Sequence, residues 1–105
     1  MFRKSSRLNT SDFKEVFNFG KTLKTPLFLI KTKQNNLKNS RYAVVVSKKI
    51  SKKATERNHI KRRFLNALQE NKEKFPVSDY VFILNSFVKD IQYKDLLTHL
   101  KEIKI

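Results

Sequence analysis

A chain of 105 residues fits one domain and leaves little room for a second. Its 24 Lys and Arg against 9 Asp and Glu leave a net +15 at pH 7, and nine Phe with three Tyr can fill a small core, so a folded basic domain is expected rather than a basic tail. The absence of Cys excludes a disulfide framework, a zinc finger and a thiol nucleophile, and apolar runs of about five residues are too short for a bilayer-spanning helix.

Taken in chain order, the basic start Met1-Phe2-Arg3-Lys4 is followed by no apolar stretch of signal-peptide type, so a cytoplasmic protein is expected. Residues 9–19 predict a short helix. Asn9, Thr10 and Ser11 are possible N-caps, Asp12 and Glu15 suit the first turn, and Phe13, Val16 and Phe17 share one face. Gly20 is placed to close that helix in the left-handed conformation. Residues 27–33, just after Pro26, predict a strand; residues 34–40 form a polar turn; residues 41–47 predict a second strand, joined to the first as a hairpin. The second run is apolar on both faces, which suits a central strand. Residues 54–74 predict the main helix, with Ile60, Phe64, Ala67 and Leu68 as its apolar stripe and Pro76 marking its end. Residues 79–85 predict a buried strand, and residues 91–104 an amphipathic helix with Leu96, Leu97, Leu100 and Ile103 on one side. The order α-β-β-α-β-α gives an α/β (α+β) sandwich, a small mixed sheet packed by helices, in which 41–47 and 79–85 form a parallel βαβ pair. One domain, 1–105, holds it all.

The charge is unevenly placed. Residues 1–53 hold 14 basic and two acidic residues, residues 54–105 ten and seven. The densest run is 48–63, with eight Lys or Arg and the single acid Glu56. It leaves a strand, crosses a loop and enters a helix, so its loop lysines sit near a helix N-terminus that itself favours phosphate. On the helix, Arg57 with Lys61, Asn58 with Arg62, and His59 with Arg63 line adjoining edges at i,i+4 spacing. Arginine forks bind phosphate through two parallel hydrogen bonds, and Asn can reach a 2′-hydroxyl or a base edge. A single-sign cluster of this kind favours a nucleic acid; an anionic membrane surface, another polyanion or a merely solvated helix face are the alternatives. Phe13 and Phe17, one turn apart, are either core residues or a stacking platform for an unpaired base.

Ser47-Lys48-Lys49-Ile50, followed by Ala54 and by Arg57-Asn58-His59-Ile60-Lys61-Arg62, resembles the signature of the protein subunit of bacterial ribonuclease P, S-K-K/R-x, a short loop, then R-N-R-x-K-R. Arg7-Leu8, Asp12-Phe13, Val16-Phe17 and Gly20 resemble the family's N-terminal element, and the similarity covers residues 3–104. The sequence departs from the pattern at His59, where the family has a second Arg, at Ser51-Lys52-Lys53, where Gly and Asn are common, at Lys31, where an aromatic is common, and at Asn85-Ser86-Phe87, where a basic residue and Pro are common. An imidazole lacks the fixed charge and the fork of Arg, and Arg63 on the same helix edge could supply some of that charge.

The resemblance implies a left-handed βαβ crossover, against the general rule, and a role in removing the 5′ leader of precursor tRNA. It implies that the RNA subunit carries the catalytic groups and Mg²⁺. It implies two RNA-binding surfaces on the protein: Lys52, Lys53, Arg57, Asn58, His59, Lys61, Arg62 and Arg63 toward the ribonuclease P RNA, and a cleft of Phe13, Phe17, Lys31, Ser47, Lys48 and Lys49 for the single-stranded leader of precursor tRNA. No catalytic residue, protein-bound cofactor, metal ligand, DNA or membrane partner is expected. The carboxylates are scattered singly, His59 and His99 lie in different helices, and Ser47 and Ser51 have no evident base. A non-catalytic RNA-binding protein, of ribosomal or RNA-chaperone kind, has the same composition. A DNA-binding regulator would show a helix-turn-helix and a dimer interface, and neither is evident.

Overall fold

The computed structural model describes residues 7–103. Three α-helices, α1 (Thr10–Phe19), α2 (Ala54–Glu70) and α3 (Tyr93–Glu102), pack on a sheet of four strands, β1 (Lys21–Lys24), β2 (Phe28–Lys33), β3 (Arg41–Val45) and β4 (Asp79–Leu84). The strand order is β1-β2-β4-β3. The pairs β1·β2 and β2·β4 are antiparallel, and β3·β4 is parallel, so the mixed sheet and its βαβ pair are as expected.

Three expectations are corrected. The run 27–33 does not form a hairpin with 41–47, because β4 inserts between them. The connection 34–40 instead crosses the start of β4: Asn35 Nδ2 donates to Asp79 Oδ1 at 2.7 Å, and Ser40 Oγ accepts from the Ser78 N–H at 3.1 Å. Strand β3 is accordingly an edge strand, flanked among the described residues only by Arg7-Leu8, whose Leu8 N–H donates to the Tyr42 carbonyl at 3.2 Å. The real hairpin lies earlier, between β2 and a fourth strand, β1. Its sequence Lys-Thr-Leu-Lys is exposed throughout and carries no apolar alternation to betray it.

Gly20 also differs. Its φ of −75° and ψ of 160° are extended, not left-handed. A Cβ there would stand 2.5 Å from the Val16 carbonyl oxygen and 2.8 Å from that of Thr32. Glycine is needed because the end of α1 and strand β2 approach too closely for a side chain, rather than for its torsional freedom.

In-register neighbours share a face of the sheet. Phe28, Ile30, Tyr42, Val44, Tyr80, Phe82 and Leu84 are buried on one face against Ile60, Phe64, Ala67 and Leu68 of α2 and Leu96 and Leu100 of α3. Edge-on contacts of Phe28 with Phe64 and Phe82, with ring centroids 5.4 and 5.6 Å apart, fix this core. The apolar stripe of α2 is the one its sequence spacing predicts. The helix stops at Glu70 rather than 74: Asn71 caps it, its side chain donating to Ala67 O at 3.2 Å, and one 3-10 turn, Lys72–Lys74, leads to Pro76. Helix α1 lies on the opposite face, over β2 and β4, with its own Val16 and the Val81 of β4 buried. Asn9 is the cap of α1, its side chain accepting the Asp12 N–H at 2.8 Å.

Candidate nucleic-acid interface

The loop from β3 to α2 alternates anchors and cations. Ile50 and Ser51 are buried, whereas Ser47, Lys48, Lys49, Lys52 and Lys53 are exposed. The Ile50 N–H donates to Ser47 O at 3.1 Å, and Arg57 Nη1 returns from α2 to Ser51 O at 3.0 Å. The buried pair thus pins a short loop whose lysines have no place to go but outward.

On α2, burial of Ile60 and Phe64 turns Asn58, His59, Lys61 and Arg62 to solvent. Arg57 and Arg63 are half-buried. Arg57 spends one donor on Ser51, and Arg63 donates to the Ile91 carbonyl ahead of α3. Each keeps its charge while its position is fixed by backbone. Glu56, the acid of this segment, is met by Lys89 Nζ at 3.3 Å. The result is a solvent-facing array of donors of one sign, the arrangement that phosphates relieve.

The opposite face of the sheet is only half covered. Leu29, Ala43, Val45 and Ile83 are partly exposed beside α1, in contrast to the closed face below them. Along one wall, Phe13 and Phe17 stack with centroids 5.9 Å apart and planes 16° from parallel. Phe17 is 41% exposed, so this ring is no core residue. Lys31 Nζ stands 5.3 Å from the centroid of Phe17 and donates to Thr22 Oγ1 at 3.2 Å. Ser47 is exposed, two residues beyond the end of β3. The apolar floor formed by Leu29, Val45 and Ile83 was missed by sequence reasoning. Its signal was the apolar character of 41–47 on both faces, which an edge strand shows when one face serves as a groove.

Arg41 locks α1 to this face. Its Nε and Nη2 donate to the two carboxylate oxygens of Asp79 at 2.9 and 2.7 Å, and its Nη1 to Asp12 at 2.7 Å. The hydrogen bonds to Asp79 chiefly, opposed by burial, raise the guanidinium further above its ordinary value. Lys33 adds an ion pair to Glu15 of α1. Nothing in the spacing of these residues marks them as partners, because Asp79 lies 38 residues from Arg41.

The sequence-predicted residues therefore fall into two groups on two sides of the sheet, the cations of α2 and the wall of α1 with Lys31, with the lysine loop between them. Among the described residues no group of three or more His, Cys, Asp or Glu gathers where it could hold a metal ion, and no helix is long and apolar enough to cross a membrane.

A small mixed α+β domain that turns a lysine-rich loop and the cations of α2 to solvent defines a nucleic-acid-binding protein. The family model described as Ribonuclease P matches residues 2–104. The ribonuclease P protein component of Streptococcus thermophilus is 31% identical over 99 residues, covering 93% of this chain and 88% of that protein. That of Haemophilus influenzae is 36% identical over 83 residues, covering 78% and 70%. Among solved structures, the ribonuclease P protein of Staphylococcus aureus superposes with a TM-score of 0.81 at 25% identity, covering 93% of this chain and 91% of that one. The ribonuclease P protein of Thermotoga maritima superposes with a TM-score of 0.76 at 30% identity, covering 93% and 97%. The chain belongs to the ribonuclease P protein family, the protein partner in an endoribonuclease whose catalytic role lies with the RNA.

Proposed function

We propose that this chain binds a ribonuclease P RNA through α2 and the loop ahead of it, holds the 5′ leader of precursor tRNA in the groove beside α1, and so assists removal of that leader by the RNA. The single observation that carries the reading is the pairing of two chemically different surfaces on one sheet. One is a helix that turns Lys61 and Arg62 to solvent between Arg57 and Arg63, suited to the phosphates of a folded RNA. The other is a half-open apolar floor walled by the exposed ring of Phe17 and by Lys31, suited to an unpaired, flexible strand.

In this reading Lys52, Lys53, Arg57, Asn58, His59, Lys61, Arg62 and Arg63 face the RNA subunit. Phe13, Phe17, Lys31, Ser47, Lys48 and Lys49 face the leader. Mg²⁺ is held by the RNA, where it supplies charge stabilisation for phosphodiester cleavage, and the protein works in the cytoplasm. The chain's own contribution is positional: its cations offset phosphate repulsion between two RNAs, and its groove selects a substrate that still has a leader.

Affinity of the reconstituted holoenzyme for a leader-bearing precursor, compared with mature tRNA, tests this. The precursor is expected to bind more tightly, and the difference to vanish when the RNA subunit is used alone. Equal affinity for the two tRNAs in the holoenzyme would refute the leader groove. Failure of the protein to bind the RNA subunit would refute the whole reading.

A further inference from the structure

Phe87 is 71% exposed, yet its backbone is held firmly. It sits in the 3-10 turn Ser86–Val88 that follows β4. The Asn85 side chain accepts the Phe87 N–H at 2.9 Å and donates to the Pro26 carbonyl at 2.7 Å, and Val88, next in the chain, is buried. One residue further, Lys89 reaches Glu56 in the first turn of α2. Because β3 and β4 run parallel, this turn and the lysine loop after β3 leave the sheet at the same end. The turn then passes to α3, on the face of the sheet that carries α2 and away from α1.

A single exposed aromatic is ordinary on a protein surface. One fixed in place at the foot of a cationic helix is poised differently. The ring is open to solvent, and beside it Lys89 engages Glu56, the single acid of the basic segment 48–63, with Asp90 next in the chain. A second copy of this chain is a poor occupant, since the net charge of +15 repels it and one ring is far below the roughly 1,000 Å² a stable interface needs.

We propose that Phe87 is a stacking platform for an unpaired nucleobase of the ribonuclease P RNA, adjoining the contacts of α2. This rests on the reading of α2 as the face toward the RNA subunit. Every base offers a π-face, so the contact needs no particular sequence. The ring sets the lateral position of the RNA while the phosphate contacts of α2 supply affinity.

The chain contains no Trp, so Phe87→Trp introduces a single fluorophore. Val77→Trp is the control. Val77 is 48% exposed and precedes β4, and so lies about 20 Å away at the other end of the strand. Each variant is titrated with a transcribed bacterial ribonuclease P RNA, with binding followed in parallel by filter retention. The Phe87→Trp emission is expected to quench along the binding isotherm while that of Val77→Trp holds. Phe87→Ala and Phe87→Leu are both expected to weaken binding, about five- to a hundredfold.

An unmoved Phe87→Trp signal at saturating RNA would overturn the proposal. So would quenching that arises only after precursor tRNA is added, which would assign the ring to the leader. Full affinity in Phe87→Leu would reduce the contact to simple apolar packing. An emission shift that follows protein concentration without RNA would assign the ring to self-association. Loss of RNA binding by the unsubstituted chain, read by filter retention alone, would instead overturn the function proposed above.

Discussion

Replacing Arg41 with Ala removes the guanidinium that pairs with Asp79 and ties Asp12 of α1 to β3. The Arg41 side chain is 18% exposed and that of Asp79 8%, so both charges are largely out of water. After the substitution Asp79 keeps only the Asn35 amide at 2.7 Å among the side-chain partners described above. Removing one member of a buried pair costs about 3–5 kcal/mol, because the other is left uncompensated. Against a total stability of about 5–15 kcal/mol this is a large fraction. For a domain of this size each kcal/mol moves the melting midpoint by about 4–8 °C, so a fall of at least ~12 °C is expected. Asp12→Ala is the internal control. Its carboxylate is 38% exposed, and an ion pair of that kind is worth about 0–1 kcal/mol. The double change Arg41→Met with Asp79→Leu is expected to cost less than either single change, since it leaves no buried charge behind. Thermal and urea denaturation of Arg41→Ala, Asp12→Ala, the double variant and its two single changes measure all of this. A midpoint for Arg41→Ala within ~4 °C of the unsubstituted chain would show that Asp79 finds other partners and that the clamp does not carry this share of stability.

Arg62→Ala is expected to weaken binding to the ribonuclease P RNA and to lower the salt slope by about one, because Arg62 is exposed on the cationic face of α2; Lys72→Ala, beyond the end of that helix, should change neither in filter-retention titrations. Phe17→Ala should leave the melting midpoint within ~4 °C, since the ring is 41% exposed, yet weaken holoenzyme binding of leader-bearing precursor about five- to a hundredfold without affecting mature tRNA. Burial pulls the His99 imidazole below its ordinary value, with Glu102 opposing; among the described residues its Nε2 has no hydrogen-bond partner. The unfolded chain therefore binds a proton first, and the stability present above about pH 6.5 should fall as pH drops toward the folded value. His99→Gln should flatten that part of the urea-midpoint profile between pH 7.5 and 5.5, and an unchanged profile would refute the assignment.

How far the sequence was legible depended on whether the signal was local. The stripe Ile60, Phe64, Ala67, Leu68 and the run 79–85 are periodic or continuous in themselves, so helix α2 and strand β4 could be read directly. The cationic loop and helix are equally local, since eight of their charges fall within residues 48–63. Strand β1 was not legible because Lys21–Lys24 is polar throughout and is a strand only by pairing with β2. The pairing order was misread for the same reason: the polar turn 34–40 is consistent with a hairpin, and only the hydrogen bonds of Asn35 and Ser40 to residues more than 30 positions away show that it crosses β4. Gly20 was read as a left-handed helix end, but its backbone is extended, and what requires glycine is the close approach of the Val16 and Thr32 carbonyls, the second of them from β2. In the candidate site, Phe17 could not be assigned to core or surface by spacing alone, since its partner Lys31 comes from another element.

Cleavage of precursor tRNA by a bacterial ribonuclease P RNA at low Mg²⁺, with and without the purified chain, tests the central claim most directly. Strong stimulation by the protein is expected, with no cleavage by the protein alone and a stimulation that depends on the leader. Tight RNA binding with no stimulation would contradict the proposed function and favour a general RNA-binding role, and cleavage by the protein alone would place the chemistry on the protein rather than on the RNA.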